Sequence, residues 1–131
     1  MLPISLEDII IGALCAWREN RGGGIPGMTS VINVLTNRAE KNASTIYHEA
    51  TKPYQFFSMT EKSNPELVLY PEDNDPQFMQ AIELMMRLKG GKLSDLTDGA
   101  TMYFAENITK APTWDVAYTK TTTVAGQVFF K

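Results

Sequence analysis

Up to Gly90-Gly91 the apolar residues of this chain recur every three or four positions; after Gly99 they alternate. A period of 3.6 makes amphipathic helices, and a period of 2 makes strands with one buried face. The change falls once, late in the chain, so the sequence predicts helices first and a small antiparallel sheet at the end. That order is an α+β fold, four main helices followed by a C-terminal sheet.

The elements can be placed from their punctuation. Ser5 can cap the first helix, Glu7 and Asp8 fill its first turn, and Leu6, Ile9, Ile10, Ala13, Leu14 and Trp17 recur at helical spacing. This helix runs straight into Gly22-Gly23-Gly24. A second helix begins near Pro26, a residue suited to a first turn, and runs to about Lys41, with Met28, Val31, Ile32, Leu35 and Ala39 as its inner stripe. A short third helix, near Ser44 to Ala50, contains His48. Asp75-Pro76 opens a fourth and Gly90-Gly91 closes it, with Phe78, Ile82 and Met85 facing inward. Met79, Met85 and Met86 read as gap-filling core. Thr101 to Ala105 alternates like a strand, and Tyr118 to Val124 and Gln127 to Phe130 flank Ala125-Gly126 like a hairpin.

Composition narrows the function. With 131 residues, 44% hydrophobic and 21% charged, the chain suits one globular domain, 1–131. A net charge of −3 without a Lys/Arg cluster argues against nucleic acid as partner. The longest apolar run, Ile9 to Trp17, is too short to span a bilayer, and no secretory signal is apparent at the N-terminus. The sequons at Asn42 and Asn107 carry no meaning without a secretory route. One Cys and one His exclude an internal disulfide and a His-rich metal centre, so neither metal nor cofactor is expected.

Glu19 is the most informative single residue. A carboxylate in the last helical turn lies near the negative end of the backbone dipole, which disfavours its ionised form. It shares a helix face with Gly12, Cys15 and Ala16, small residues that let another element approach and exclude water. The three glycines behind it are expected to leave the backbone open to a ligand. A carboxyl held this way suits general-acid chemistry on a glycoside. The plainer reading is a solvated Glu paired with Arg18 or Arg21. Downstream, Lys52 to Thr60 is irregular and mixes aromatic with hydrogen-bonding residues, as a groove lining would, although Phe56 and Phe57 individually read as core.

The order of segments resembles the cell wall hydrolase family typified by the spore-cortex-lytic enzyme SleB. Glu19-Asn20-Arg21-Gly22-Gly23 resembles that family's Glu-Ala-Arg-Gly-Glu motif, and Val34-Leu35-Thr36-Asn37-Arg38 its Val-Leu-Asn-Arg run. Tyr54-Gln55-Phe56-Phe57-Ser58 is similar to a Gln-Phe-Ser segment with one extra Phe. Gly99 to Phe104 matches a Gly-Ala-x-x-Tyr-Phe strand, and Gly126-Gln127-Val128-Phe129 a closing Gly-x-His-x-Phe segment. The family's second Glu is Gly23 here, and its closing His is Gln127.

The resemblance implies a lysozyme-like groove that cuts the glycan strands of peptidoglycan, as a lytic transglycosylase or a muramidase, with Glu19 as catalytic acid. Arg21, Tyr54, Gln55, Phe56, Ser58, Tyr103 and Trp114 are the expected substrate contacts. Glu61, Asp95, Asp98 and Asp115 are available as a second carboxylate, but none stands in a motif, which favours one Glu acting first as acid and then as base. The resemblance further implies a monomeric phage endolysin, made in the host cytoplasm without a signal peptide and acting on the wall. Two competitors remain: a wall-binding or phage structural protein that kept the fold without the chemistry, and a cysteine peptidase using Cys15 and His48.

Overall fold

A computed structural model describes residues 3–131. Helices α1 (Leu6–Asn20), α2 (Gly24–Lys41), α3 (Ile46–Thr51) and α5 (Pro76–Lys89) are the four expected ones. A single helical turn, α4 (Phe57–Thr60), stands within the segment that read as irregular. Strands β1 (Met102–Ala105), β2 (Lys120–Val124) and β3 (Gln127–Phe130) close the chain.

Ser5 and Asp8 form a complete capping box at the start of α1. The box ties up Asp8 Oδ2, while Oδ1 accepts from the Tyr47 amide of α3 at 2.8 Å, which explains why a charged residue is buried there. The inner face of α1 is rotated from the expected stripe. Leu6 and Ile10 are exposed, whereas Gly12, Cys15 and Ala16 are buried. Small size decides this: a Cβ on Gly12 would come within 2.8 Å of Met85 Sδ, so α5 already occupies that space.

Helix α2 lies at the centre, with Met28, Val31, Ile32, Val34 and Leu35 all fully buried. Helix α1 packs against α2, α3 and α5. In α5 the buried positions are Ala81, Leu84 and Met85, with Phe78 and Ile82 packed partly against them. Of the three methionines read as core, Met85 is; Met79 and Met86 are each 52% exposed.

The sheet order is β1-β3-β2, antiparallel throughout, so the C-terminal strand is the middle one. Ala125 and Gly126 both adopt positive φ (47° and 80°), as a two-residue hairpin with primed turn geometry requires. Strand β2 starts two residues later than expected because Thr113–Ala117 forms a 3-10 turn leading into Tyr118. Phe129 and Ala100 join the helical residues in one core, so the sheet is fixed against the helices rather than appended to them.

Candidate active site

Glu19 ends up where three separate parts of the chain converge. Helix α1 carries it in its last turn, half-buried. The Ser58 hydroxyl from α4 donates to Oε2 at 2.5 Å, and the Tyr103 hydroxyl from β1 donates to Oε1. Both carboxyl oxygens are therefore held, across 39 and 84 residues of sequence. Hydroxyls are acceptors as well as donors, so either contact survives protonation of the carboxyl by rotation of one O–H.

The two hydroxyls are themselves fixed. Ser58 is buried, and its carbonyl accepts from the Arg18 guanidinium at 3.2 Å. Arg18 also donates to the Leu69 carbonyl at 3.1 Å and lies over the Tyr70 ring. The Tyr103 ring packs between Phe56 and Phe129, with centroids 6.3 and 5.5 Å away. Burial pushes the Tyr103 phenol well above its ordinary range, and the neighbouring Glu19 pushes it further. It stays a neutral donor.

Beside this carboxyl opens a cleft of about 570 Å³. Its lining is Glu19, Arg38, Tyr54, Gln55, Phe57, Asn64, Met102, Tyr103, Pro112 and Trp114. Of the residues expected at the substrate, Tyr54, Gln55, Tyr103 and Trp114 line it, and Ser58 lies behind it holding Glu19. Trp114 serves two ends: it faces the cleft and packs edge-on against Phe104, Tyr118 and Phe130.

Phe56 and Arg21 stand elsewhere. Phe56 is 1% exposed, supports the Tyr103 ring, and lies under the Arg38 guanidinium at 4.9 Å; the extra aromatic, Phe57, faces the cleft instead. Arg21 makes a two-pronged pair with Glu66, at 2.6 and 3.1 Å, and stacks over Trp17. Glu66 raises its pKa further through that hydrogen bond. The glycines do not line the cleft either. The Asn20 side chain accepts from the Gly23 amide, and a Cβ on Gly23 or Gly27 would strike it. Their role is to turn the chain from α1 into α2 around Asn20, which also donates to Gln127 in β3 at 3.2 Å.

Arg38, Asn64, Met102 and Pro112 line the cleft without having been expected there. Arg38 had a signal: it follows Val34 and Leu35, both fully buried, at helical spacing, so a cation falls on a buried face. Its Nε donates to the Thr101 carbonyl at 2.6 Å and its Nη1 to Gln55 Oε1 at 3.1 Å. Burial pushes its pKa down, opposed by Tyr103, Glu49, Cys15 and Glu19.

Among the described residues lining this cleft, Glu19 is the one carboxylate. Glu61 borders a smaller neighbouring hollow beyond Tyr54. Asp95 organises its own loop: burial opposes its ionisation, but hydrogen bonds from Thr97, Asn37 and Gly99 together hold its carboxyl below the usual range. Cys15 is fully buried, and burial, with Glu19 next, raises its thiol well above the ordinary value. His48 is exposed on α3. A buried, protonated thiol is a poor nucleophile, which weighs against a peptidase dyad.

Two solved structures share this arrangement of elements. The catalytic domain of the germination-specific lytic transglycosylase SleB from Bacillus anthracis superposes with a TM-score of 0.74 at 21% identity, covering 100% of this chain and 99% of that one. The catalytic domain of the Bacillus cereus SleB protein gives 0.76 at 21% identity, covering 100% and 94%. No curated protein sequence matches. The Cell Wall Hydrolase family model matches residues 22–130, starting just after Glu19 and taking in α2, the cleft loops and the whole sheet. By that match over most of its length, the chain belongs to the cell wall hydrolase family.

Proposed function

We propose that this protein cleaves the glycan strands of peptidoglycan, with Glu19 as its single catalytic carboxyl. The observation that carries the reading is the isolation of Glu19: among the described residues it is the one carboxyl lining the cleft, with both oxygens positioned by Ser58 and Tyr103. Family membership supports the substrate class, and the likeness to SleB domains, that of Bacillus anthracis being a lytic transglycosylase, supports the type of bond cut.

Protonated Glu19 gives its proton to the oxygen joining N-acetylmuramic acid to N-acetylglucosamine. The C1–O bond breaks, the glucosamine leaves with that proton, and positive charge develops at the muramic C1. Glu19, now a carboxylate, takes a proton from an incoming hydroxyl whose oxygen bonds to C1. If that hydroxyl is the sugar's own C6–OH, the product is an anhydro sugar; if it is water, the product is a reducing end. A paired-carboxylate glycosidase needs a second Asp or Glu facing the same bond. Among the described residues lining the cleft there is none, which favours the one-carboxyl route.

Mass spectrometry of digested peptidoglycan tests the proposal. Anhydro-muropeptides identify a transglycosylase and reducing muramic ends a muramidase. Released peptides with uncut glycan would sink both. We place the activity in phage lysis by analogy; permeabilised Gram-negative cells expressing the protein should lose turbidity, whereas permeabilised cells expressing Glu19→Gln should keep it.

A further inference from the structure

The cleft continues past Arg38. A recess of about 110 Å³ shares Arg38, Gln55 and Met102 with the main cleft and is bordered further out by Lys41 and Lys52. Through Lys41 it meets an outer hollow that reaches Lys131. The protein as a whole is negative, at −3, so this end of the groove is locally reversed in sign.

Two carboxylates stand against these cations. Glu49 also borders the recess, but it is buried and its oxygens accept from Asn42 and Ser44. Glu40 borders the outer hollow and is exposed. Arg38 is different. It is 8% exposed, yet among the described residues the ion pair found is Arg21 with Glu66, and Arg38 has no carboxylate partner. Its Nη2 donates to the Met102 thioether, a weak acceptor, at 3.5 Å. Glu49 and Glu19 stabilise its charge only from a distance, so a carboxylate reaching Nη2 replaces the thioether with a direct charge-assisted hydrogen bond.

We propose that this recess is a subsite for a carboxylate of the acidic peptide stem carried by the muramic residue, with Arg38 at its base and Lys41 and Lys52 at its rim. The proposal rests on the glycan-cleaving reading of Glu19 and assigns that site a preference for peptide-bearing strands. Its volume suits one carboxylate with some hydration, not a whole peptide, so the rest of the stem lies along the rim. The bare lactyl carboxylate of stripped glycan has the same chemistry but is tethered closer to the sugar ring.

Calorimetric titration with product-sized disaccharides separates these sources without requiring turnover. The wild-type protein should bind the disaccharide tetrapeptide more tightly than the peptide-free disaccharide, and more so at low salt. In Lys41→Glu/Lys52→Glu, checked for folding by circular dichroism, the preference should fall about tenfold, two rim charges having been reversed. Lys92→Glu, an exposed lysine after α5, should retain the preference. Equal affinity of the wild type for both ligands overturns the subsite, as does an equal loss on both in the double variant. Tighter binding of the peptide-free ligand, abolished by the double variant, assigns the recess to the lactyl group and overturns the stem. Selective binding with uncut strands overturns the cleavage reading and leaves the subsite standing.

Discussion

Tyr103 and Glu19 lie 84 residues apart, one on the first sheet strand and one at the end of the first helix, and meet hydroxyl to carboxyl. This contact joins the helical and sheet parts of the fold at the point where the proposed chemistry occurs. It also explains why β1 must be anchored in the main core through Phe56 and Phe129 rather than fray at the edge. A shift of β1 along its ladder would move the next residue to the other face and withdraw the hydroxyl.

Replacing Glu19 by Gln keeps the shape of the side chain and removes its proton. Turnover of purified peptidoglycan should fall on the order of a thousandfold or more. The melting temperature should change little, since the amide still accepts one hydroxyl hydrogen bond and donates another. Activity within tenfold of wild type would refute Glu19 as the acid.

Tyr103→Phe removes one of the two groups that hold Glu19. A hydrogen bond to a charged group contributes about 1.5–3 kcal/mol, so kcat should drop roughly tenfold to a hundredfold. Tyr103 acts here as a positioning residue. KM should move much less than kcat, and a change confined to KM would instead make it a substrate ligand.

Alkaline stability follows from Tyr103 and Cys15. Both have folded-state pKa values raised by burial first and by Glu19 second. Between the unfolded and folded values, the unfolded chain releases a proton that the folded one keeps, so stability falls as pH rises. The decline should begin above about 8.5 for the thiol and about 10 for the phenol. Denaturant midpoints measured from pH 7 to 11 should show it, with Cys15→Ala removing the earlier part. A flat profile in the wild type counts against the buried placement of both groups.

The sequence made the helices and the closing hairpin legible because period, capping and turn chemistry are local properties. Ser5, Asp75-Pro76 and Ala125-Gly126 each act within a few residues. What it misread depended on distance. The stripe on α1 pointed to Leu6 and Ile10 by hydrophobicity, but Gly12 beside Met85 settled which face could be approached. Phe56 and Phe57 are indistinguishable by type, and one turn of α4 sends the first inward and the second to the cleft. Arg38 stood in a family-like run with no role assigned, because its partners, Gln55 and Thr101, come from segments that meet it only after folding.

Arg21 provides a contrast between stability and activity. It pairs with Glu66 and stacks on Trp17 with its guanidinium 4.0 Å from the ring centroid, away from the cleft. Both side chains of the pair are partly exposed, so Arg21→Ala should cost only about 1 kcal/mol, readable as a lower urea midpoint. Peptidoglycan turnover at a temperature well below melting should stay within a few-fold of wild type. A large rise in KM would place Arg21 at the substrate after all.

Gly27→Ala sets two effects of opposite sign against each other. Alanine in place of glycine inside a helix ordinarily gains up to about 1 kcal/mol. Here the added Cβ would lie 2.8 Å from Asn20 Nδ2 and 3.0 Å from the Asn20 carbonyl oxygen, and the second of these is backbone that cannot rotate away. Forcing a methyl into filled space costs about 1–3 kcal/mol, so the clash should win and the variant should be net destabilised. Because Asn20 adjoins Glu19, relief of the clash also shifts the end of α1, and kcat should fall together with the melting temperature. Gly22→Ala, where nothing lies within 4 Å, is the matched control and should lower neither. If Gly27→Ala raised the melting temperature, the tight turn around Asn20 would be looser than these distances require.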